Sequence, residues 1–307
     1  MNFFDLHCDT LTEAAKQGVG LRCNGLQLDL AKLPEGILAQ MYAIFIPDTL
    51  RGEAAWQYFG HCTAYGRSLL KNEEKIRQVN SAGEIETLWQ SGCHAMMLSV
   101  EGGAVLGGEI RRVQALADAG VRTLTLTWNG ANELGSGAGA AGGLTPFGRE
   151  VLREMVRYSI VPDVSHLNDE TFWDVMGATD APVAASHSNS RKLCPVPRNL
   201  TDDQFCAIAE RVGLVGLNYY PAFLCEMPEQ ATMDDLLRHA EHFLLLGGED
   251  VLALGSDFDG ASMPQDLPDC GRLPLLAERL TDAFGKPLAE KICWRNALRF
   301  MESCPKK

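Results

Sequence analysis

Eight short apolar runs, separated by helical segments, are the feature of this sequence that most restricts its fold. The runs comprise residues 3–6, 40–46, 95–100, 122–126, 159–164, 182–185, 213–218 and 251–254. Most are apolar throughout, which is typical of parallel strands covered on both faces. Eight such strands alternating with helices predict an α/β fold, a (β/α)8 barrel of the TIM type in a single domain over residues 1–307. A doubly wound parallel sheet is the alternative.

Helical patterns lie between these runs, and several begin at a residue that suits a helix N-terminus. The clearest patterns cover residues 53–79, 110–119, 149–158, 202–211 and 233–246. Thr145 precedes a proline, whereas Thr201 and Thr232 each come shortly before two aspartates. Because a threonine hydroxyl accepts a hydrogen bond from a first-turn amide, all three are predicted to be helix caps.

The charge balance limits the partners that the protein could take. Asp plus Glu number 40 against 27 for Lys plus Arg, which gives a formal net charge of −13 over 307 residues. An acidic surface repels phosphate backbones and anionic lipid, so neither nucleic acid nor a membrane is an expected partner. No apolar run approaches the roughly 18 residues of a membrane helix, and the start of the chain lacks the features of a signal peptide. We therefore expect a cytoplasmic protein.

Polar residues follow five of the apolar runs at the point where the predicted strand ends. They are His7-Cys8-Asp9, Glu101-Gly102-Gly103, Asp163-Val164-Ser165-His166, Ser186-His187-Ser188-Asn189 and Ser256-Asp257-Phe258-Asp259-Gly260. In a barrel the carboxyl ends of all strands meet at one mouth, where active sites are built. Imidazoles and carboxylates are ligands that suit Zn²⁺. The pattern predicts a hydrolytic metal centre in which a carboxylate bridges two ions.

A glycine-rich segment offers a competing interpretation. Residues 137–142 match the dinucleotide-binding pattern G-x-G-x-x-G, and Asp163 lies at about the spacing of a ribose contact. However, residues 127–136 separate these glycines from the preceding run, so strand, turn and helix do not follow one another directly as that motif requires. We interpret the segment as a mobile loop at the barrel mouth.

Six short motifs occur in a fixed order along the chain. They are Asp5-Leu6-His7-Cys8-Asp9-Thr10, Ser99-Val100-Glu101-Gly102-Gly103, Asp163-Val164-Ser165-His166, Ser186-His187-Ser188, Arg198-Asn199-Leu200-Thr201-Asp202 and Gly255-Ser256-Asp257-Phe258-Asp259-Gly260. Each is weak alone, but the six in one order are highly specific. They resemble the motifs of the membrane (renal) dipeptidase family, peptidase family M19 of the amidohydrolase superfamily. The resemblance implies a (β/α)8 barrel with two Zn²⁺ per chain that cleaves dipeptides.

The resemblance also implies a role for each matching residue. The implied zinc ligands are His7 and Asp9 on one ion, His166 and His187 on the other, and Glu101 as the bridge. Arg198 would hold the carboxylate of the substrate through a bidentate contact. Asp257 would take the proton of a metal-bridging hydroxide as it attacks and pass it to the leaving amine. Asp259 is the next candidate for this proton transfer.

Two departures from the family pattern concern the binding of substrate. Trp128 and Asn129 stand where the animal enzymes of this family have a histidine that helps to bind the carbonyl oxygen. Phe223 replaces a tyrosine near the substrate carboxylate. The Trp128 indole can donate one hydrogen bond but cannot carry charge. We favour a space-filling role for Trp128, and the alternative is that it, Asn129 or Asn132 supplies the missing donor.

These features predict a cytoplasmic zinc dipeptidase whose partner is a small dipeptide substrate. Another binuclear-metal hydrolase of amides, lactones or esters is an alternative within the same class, and a non-catalytic barrel that binds a small molecule is an alternative from a different class. For the oligomeric state, a homodimer is one candidate.

Overall fold

A computed structural model describes residues 1–34 and 37–304, and its parallel strands close into a barrel. The strands are β1 (Phe3–Cys8), β2 (Leu38–Phe45), β3 (Ile76–Gln78), β4 (His94–Glu101), β5 (Val121–Thr125), β6 (Val161–Asp163), β7 (Ala184–Ala185), β8 (Leu214–Leu217) and β9 (Leu252–Leu254). The order of neighbours is β2-β1-β9-β8-β7-β6-β5-β4, and β4 pairs in turn with β2. This last pairing closes eight strands into a ring, which confirms the predicted barrel and excludes the doubly wound sheet.

The short strand β3 was not predicted from the sequence. The helix predicted over residues 53–79 is wrong at its end, because α2 (Gly52–Asn72) stops before β3 begins. Strand β5 pairs with β4 only from Leu98 onwards, and β3 pairs with the earlier part of β4, where Ile76 lies opposite His94. Ile76 is fully buried. Its position continues the apolar spacing of the helix, so periodicity could not separate the two elements.

Helices surround the barrel and connect its strands. Besides α2 they are α1 (Thr10–Gln17), α3 (Ala82–Gln90), α4 (Arg111–Asp118), α5 (Pro146–Arg157), α6 (Asp169–Ala178), α7 (Asp202–Glu210), α8 (Pro221–Leu224), α9 (Met233–Leu245), α10 (Leu273–Phe284), α11 (Lys286–Glu290) and α12 (Asn296–Ser303). The predicted caps are confirmed for α5, where the Thr145 hydroxyl accepts a first-turn N–H, and for α7, where Thr201 and Gln204 form a capping box. At α9 the Asp235 carboxylate accepts the Thr232 N–H. None of the described helices is long and apolar enough to cross a membrane.

The strands are apolar on both faces, as the continuous runs predict. On β4, Ala95 and Met97 pack in one cluster with residues of β1 and other strands, whereas Met96 and Leu98 pack in a second cluster on the opposite face. Side chains alternate along a strand, so Glu101 continues the face of Ala95 and Met97. It is the last residue of the strand, which brings its carboxylate to the barrel mouth.

One buried histidine connects α9 to the loop that follows β7 and to the end of α8. The Nδ1 atom of His239 accepts a hydrogen bond from the Ser190 N–H at 3.1 Å, and its Nε2–H donates to the Leu224 carbonyl at 2.9 Å. Both contacts require a neutral ring with its proton on Nε2. Burial lowers the pKa of His239 to about 4.

We expect His239 to make the protein less stable in mild acid. Because the pKa of His239 falls from 6.5 to about 4 on folding, the unfolded chain takes up this proton first. The stabilisation is therefore complete above pH 6.5 and is lost as the pH falls towards 4. Between roughly pH 7.5 and pH 5 the loss amounts to about 2 kcal/mol.

The measurement is urea unfolding of the wild type and of His239→Gln, which does not titrate. The difference between their free energies of unfolding should shrink by that amount over the same pH interval. A difference that stays constant with pH would show that His239 is not buried as a neutral ring.

Candidate metal centre

Six side chains from five strand ends meet at the barrel mouth. They are His7 in β1 and Asp9 just after it, Glu101 at the end of β4, His166 after β6, His187 after β7 and Asp257 after β9. All of them except Asp257 are between 1% and 7% exposed. Three groups of three donor atoms within this set are close enough to hold a metal ion. The structure thus brings together every residue that the sequence predicts as a metal ligand.

The carboxylate of Glu101 lies between two pairs of side chains. Its Oε1 atom is 2.8 Å from His166 Nε2 and 3.5 Å from His187 Nε2. Its Oε2 atom is 3.6 Å from His7 Nε2, which in turn is 3.6 Å from Asp9 Oδ2. Each oxygen of this one carboxylate therefore faces a different pair of donors.

The donor atoms of this centre fit a divalent cation. His7 Nε2 and Asp9 Oδ1 are buried and have no hydrogen-bond partner among the described residues. An unpaired buried polar group costs about 1–3 kcal/mol. Burial opposes protonation of His7, but the Glu101 and Asp9 carboxylates raise its pKa well above the usual value, so a metal ion at Nε2 would take the place of that proton. The Nε2 atoms of His166 and His187 are 2.9 Å apart, so at most one of them carries a proton between them. Imidazole nitrogens that carry no proton and carboxylate oxygens are donors that suit Zn²⁺.

The charges at the centre also favour a cation. Burial and the neighbouring Glu101 carboxylate raise the pKa of Asp9 to about 7. Burial also opposes ionisation of Glu101, but the imidazoles of His7 and His166 hold its pKa well below the usual range. Burial lowers the pKa of His166 and lowers that of His187 strongly. Both rings are therefore neutral at pH 7, which is the form that binds metal.

Backbone strain is concentrated at this centre. His166 and Asp257 have φ angles of +70° and +64°, in the left-handed region that side chains disfavour. Gly260 allows the chain to approach the carboxylates closely, since a Cβ atom there would lie 2.1 Å from Asp9 Oδ2 and 2.7 Å from Asp257 Oδ1. Tertiary contacts around these residues therefore determine their backbone conformation more strongly than the intrinsic φ preference of each residue does.

The glycine-rich segment 137–142 packs against the centre. The Ala138 N–H donates to the His166 carbonyl at 2.7 Å. A Cβ atom on Gly137 would lie 1.9 Å from the Trp128 carbonyl oxygen, so this position requires glycine. These glycines allow two backbone segments to touch, and the contact holds His166 in its left-handed conformation. The dinucleotide interpretation is therefore not needed to explain them.

Comparison with known proteins identifies the family. A model of the membrane dipeptidase family, peptidase family M19, matches residues 1–306. This chain belongs to that family. Family membership makes the protein a metal-dependent dipeptidase, a hydrolase of peptide bonds, which confirms that part of the prediction.

Three relatives illustrate the similarity. An uncharacterized protein from the pqqA 5′ region of Klebsiella pneumoniae is 36% identical over 241 residues, which cover 75% of this chain and 89% of that protein. An uncharacterized dipeptidase of Schizosaccharomyces pombe is 35% identical over 255 residues, which cover 80% of this chain and 62% of the yeast protein. A metallopeptidase from Rhodobacter sphaeroides, solved with a phosphinate mimic of the dipeptide L-Ala-D-Ala, superposes with a TM-score of 0.93 at 28% identity and covers 98% of this chain and 99% of that chain.

The active-site pocket of the dipeptidase has a volume of about 510 Å³. Carboxylates and an imidazole of the centre line it together with four aromatic side chains, Phe45, Trp128, Tyr220 and Phe223. Phe45 packs edge to face against Trp128 with ring centres 5.1 Å apart, and Tyr220 packs against Phe223 in the same way at 4.8 Å. A small cavity with charged groups and aromatic walls suits a short molecule with polar ends.

Asn129 also lines the pocket of the dipeptidase, but its amide is directed at a predicted metal ligand. Its Oδ1 atom is 3.0 Å from His166 Nδ1. The sequence predicted a contact between Asn129 and the substrate. In the structure Asn129 also contacts Nδ1 of His166, the ring nitrogen that faces away from Glu101.

Arg198 is buried beside this pocket. Its Nη1 and Nη2 atoms donate to Ser188 Oγ and to the His187 carbonyl, each at 2.9 Å, and its Cζ atom lies 5.5 Å from the centre of the Phe223 ring. Its Nε atom has no hydrogen-bond partner within residues 1–34 and 37–304. Burial lowers the pKa of Arg198 to about 10. The guanidinium therefore stays charged at pH 7 and keeps an unused N–H donor.

Sequence reasoning missed Asn218, which holds the carboxylate of Asp257. The Asn218 Nδ2 atom donates to Asp257 Oδ2 at 3.1 Å, and the Asn218 N–H donates to Asn189 Oδ1 at 3.0 Å. Asn218 directly follows β8, at the same barrel mouth as the predicted ligands. Its position at a strand end is the sequence feature that could have indicated that Asn218 belongs to the site.

Proposed function

We propose that the protein is a zinc dipeptidase that holds two Zn²⁺ per chain and hydrolyses the peptide bond of dipeptides. The observation that carries this proposal is the position of Glu101, whose two carboxylate oxygens face different donor pairs. His7 and Asp9 would hold one ion and His166 and His187 the other, with Glu101 between them. When bound, two such ions would convert a shared water molecule to hydroxide near neutral pH and polarise the carbonyl of the scissile bond.

In this proposal Asp257 moves the proton. Its Oδ2 atom is held by Asn218, and its Oδ1 atom is 3.8 Å from His7 Nε2. From this position Asp257 takes the proton of the attacking water and passes it to the leaving amine. The alternative carrier, Asp259, already accepts hydrogen bonds from the Thr10 hydroxyl at 2.6 Å and from a backbone N–H at 2.7 Å. These contacts support Asp257 as the carrier and a loop-fixing role for Asp259.

Arg198 binds the terminal carboxylate of the substrate. The unpaired Nε–H and the positive charge favour an anionic group at this side of the pocket. Phe223 lies over the guanidinium and lines the pocket, so it limits the access of water to the ion pair. A dipeptide with a free carboxyl end is the substrate class that this arrangement supports.

Trp128 forms an apolar wall of the site. Its ring packs against Phe45, and its centre is 6.3 Å from the centre of the His166 ring. The contact with Phe45 supports a space-filling role, in which Trp128 excludes water from the reacting bond.

The proposed function is tested by metal analysis and a panel of dipeptides. The zinc-loaded protein should contain about two ions per chain and cleave free dipeptides, whereas His166→Ala should retain about one ion and lose hydrolysis. His242→Ala is the matched control, because the half-buried His242 pairs with Asp202 at 2.7 Å and not with a residue of the centre. If the wild type contained only trace metal after incubation with zinc, the binuclear proposal would be contradicted.

Asp257→Asn separates proton transfer from folding. The amide oxygen of asparagine can keep the hydrogen bond from Asn218, but the side chain cannot accept and release a proton. We expect kcat to fall by at least about 10²-fold, while zinc content and Tm change little. Full activity in this variant would assign the proton carrier to another residue.

Arg198→Ala tests the recognition of a free carboxylate. Loss of a buried, charged hydrogen-bond donor should raise KM for dipeptides by roughly 10- to 100-fold. Arg198→Lys should recover part of that loss, because an ammonium group supplies the charge but not the planar fork. If the wild type cleaves C-terminally amidated dipeptides as well as free ones, a general amidase becomes the better assignment.

A further inference from the structure

Asp163 is a buried carboxylate whose hydrogen bonds are all supplied by the protein. Its Oδ1 atom accepts the backbone N–H groups of Ser165 and Ser186, each at 3.0 Å. Its Oδ2 atom accepts two hydroxyl groups, from Thr125 at 2.8 Å and from Ser186 at 2.5 Å. Each oxygen of this carboxylate therefore accepts two hydrogen bonds.

The hydrogens of the neighbouring groups can then be counted. The single hydroxyl proton of Ser186 is used in the bond to Asp163 Oδ2. The Ser186 Oγ atom is also 2.7 Å from His187 Nδ1, and in that contact Oγ has only a lone pair left to offer. His187 must therefore carry its proton on Nδ1 and donate it to Ser186.

We propose that Asp163 and Ser186 are positioning residues that fix the tautomer of His187. With the proton on Nδ1, the lone pair of Nε2 faces Glu101 Oε1 at 3.5 Å and His166 Nε2 at 2.9 Å. This inference rests on the proposed function, in which His187 binds a zinc ion through Nε2. A partner on the second ring nitrogen is the usual way in which proteins orient a histidine ligand.

Asp163 lies only three residues before His166 in the sequence. The side chain instead reaches His187 through Ser186. His166 has a different partner, the neutral amide of Asn129.

We call the two hydrogen bonds from His187 Nδ1–H to Ser186 Oγ and from the Ser186 hydroxyl to Asp163 Oδ2 the relay. The structure predicts that Asp163→Asn reverses the direction of both bonds. The atom at Oδ1 must remain an oxygen, because it faces two backbone N–H donors. The amide nitrogen then takes the position of Oδ2 and donates to Ser186 Oγ. The Ser186 hydroxyl turns and donates to His187 Nδ1, which moves the ring proton to Nε2 and blocks the lone pair that would bind metal.

A matched control separates this relay from simple support of the barrel. Thr125→Val removes a donor to the same Oδ2 atom of Asp163 but leaves the path through Ser186 to His187 intact. Ser186→Ala removes the acceptor of the His187 Nδ1 proton. If Asp163 only braced the strands, Thr125→Val and Ser186→Ala would have similar effects.

The experiment is ¹⁵N-resolved NMR of the histidine rings in the metal-free protein, with His187 assigned by His187→Gln. The Nδ1–H form should dominate in the wild type and in Thr125→Val, and the Nε2–H form should dominate in Asp163→Asn. Zinc affinity, measured by competition with a chelator, should fall about 10- to 100-fold in Asp163→Asn and Ser186→Ala. In Thr125→Val it should stay close to wild type.

Two results would overturn the relay. One is an Nε2–H ring of His187 in the wild type, and the other is an equal loss of zinc affinity in Thr125→Val and Ser186→Ala. The tautomer is measured without metal and without turnover, so it is decided independently of the proposed function. A wild type that shows the Nδ1–H ring but binds no zinc would contradict the zinc dipeptidase and leave the direction of the relay established.

Discussion

Burial of carboxylates and imidazoles at one barrel mouth is the constraint on which the rest of the site depends. A charge removed from water costs several kcal/mol unless it is paired. Burial and the Glu101 carboxylate therefore raise the pKa of Asp9 to about 7. The unpaired Nε2 of His7 and Oδ1 of Asp9 add to this cost. A divalent cation would pair both atoms and lower the pKa of the carboxylate. The mouth is therefore a region of the fold whose stability and metal binding are linked.

Two buried carboxylates, Asp5 and Asp163, connect neighbouring strand ends at this mouth through the same kind of hydrogen bonds. Asp5 accepts the N–H and the hydroxyl of Ser256 at 3.0 and 3.1 Å, and so joins β1 to the segment after β9. Asp163 accepts the N–H and the hydroxyl of Ser186 at 3.0 and 2.5 Å, and so joins β6 to the segment after β7. Each pair holds a strand end that carries site residues. One such link, through Ser186, continues to the ring of His187.

Much of the fold and of the site could be predicted because the relevant information is local in the sequence. An apolar run of a few residues defines a buried strand, and a threonine before the first turn of a helix defines a cap. The carboxyl ends of all barrel strands converge, so a polar residue directly after a strand lies at the mouth. This reasoning is sufficient for His7, Glu101 and His187, whose convergence follows from their positions at strand ends.

The remaining features depend on pairings between distant parts of the chain. Strand β3 exists because the first part of β4 has a free edge until β5 reaches it. The contact of Asn218 with Asp257 and the close approach of Gly137 to Trp128 depend on the register and spacing of separate loops. The sequence by itself determined the strands and the kinds of side chain at their ends. The tertiary structure decided which atoms face one another, because hydrogen-bond direction and close packing depend on distances that no local pattern contains.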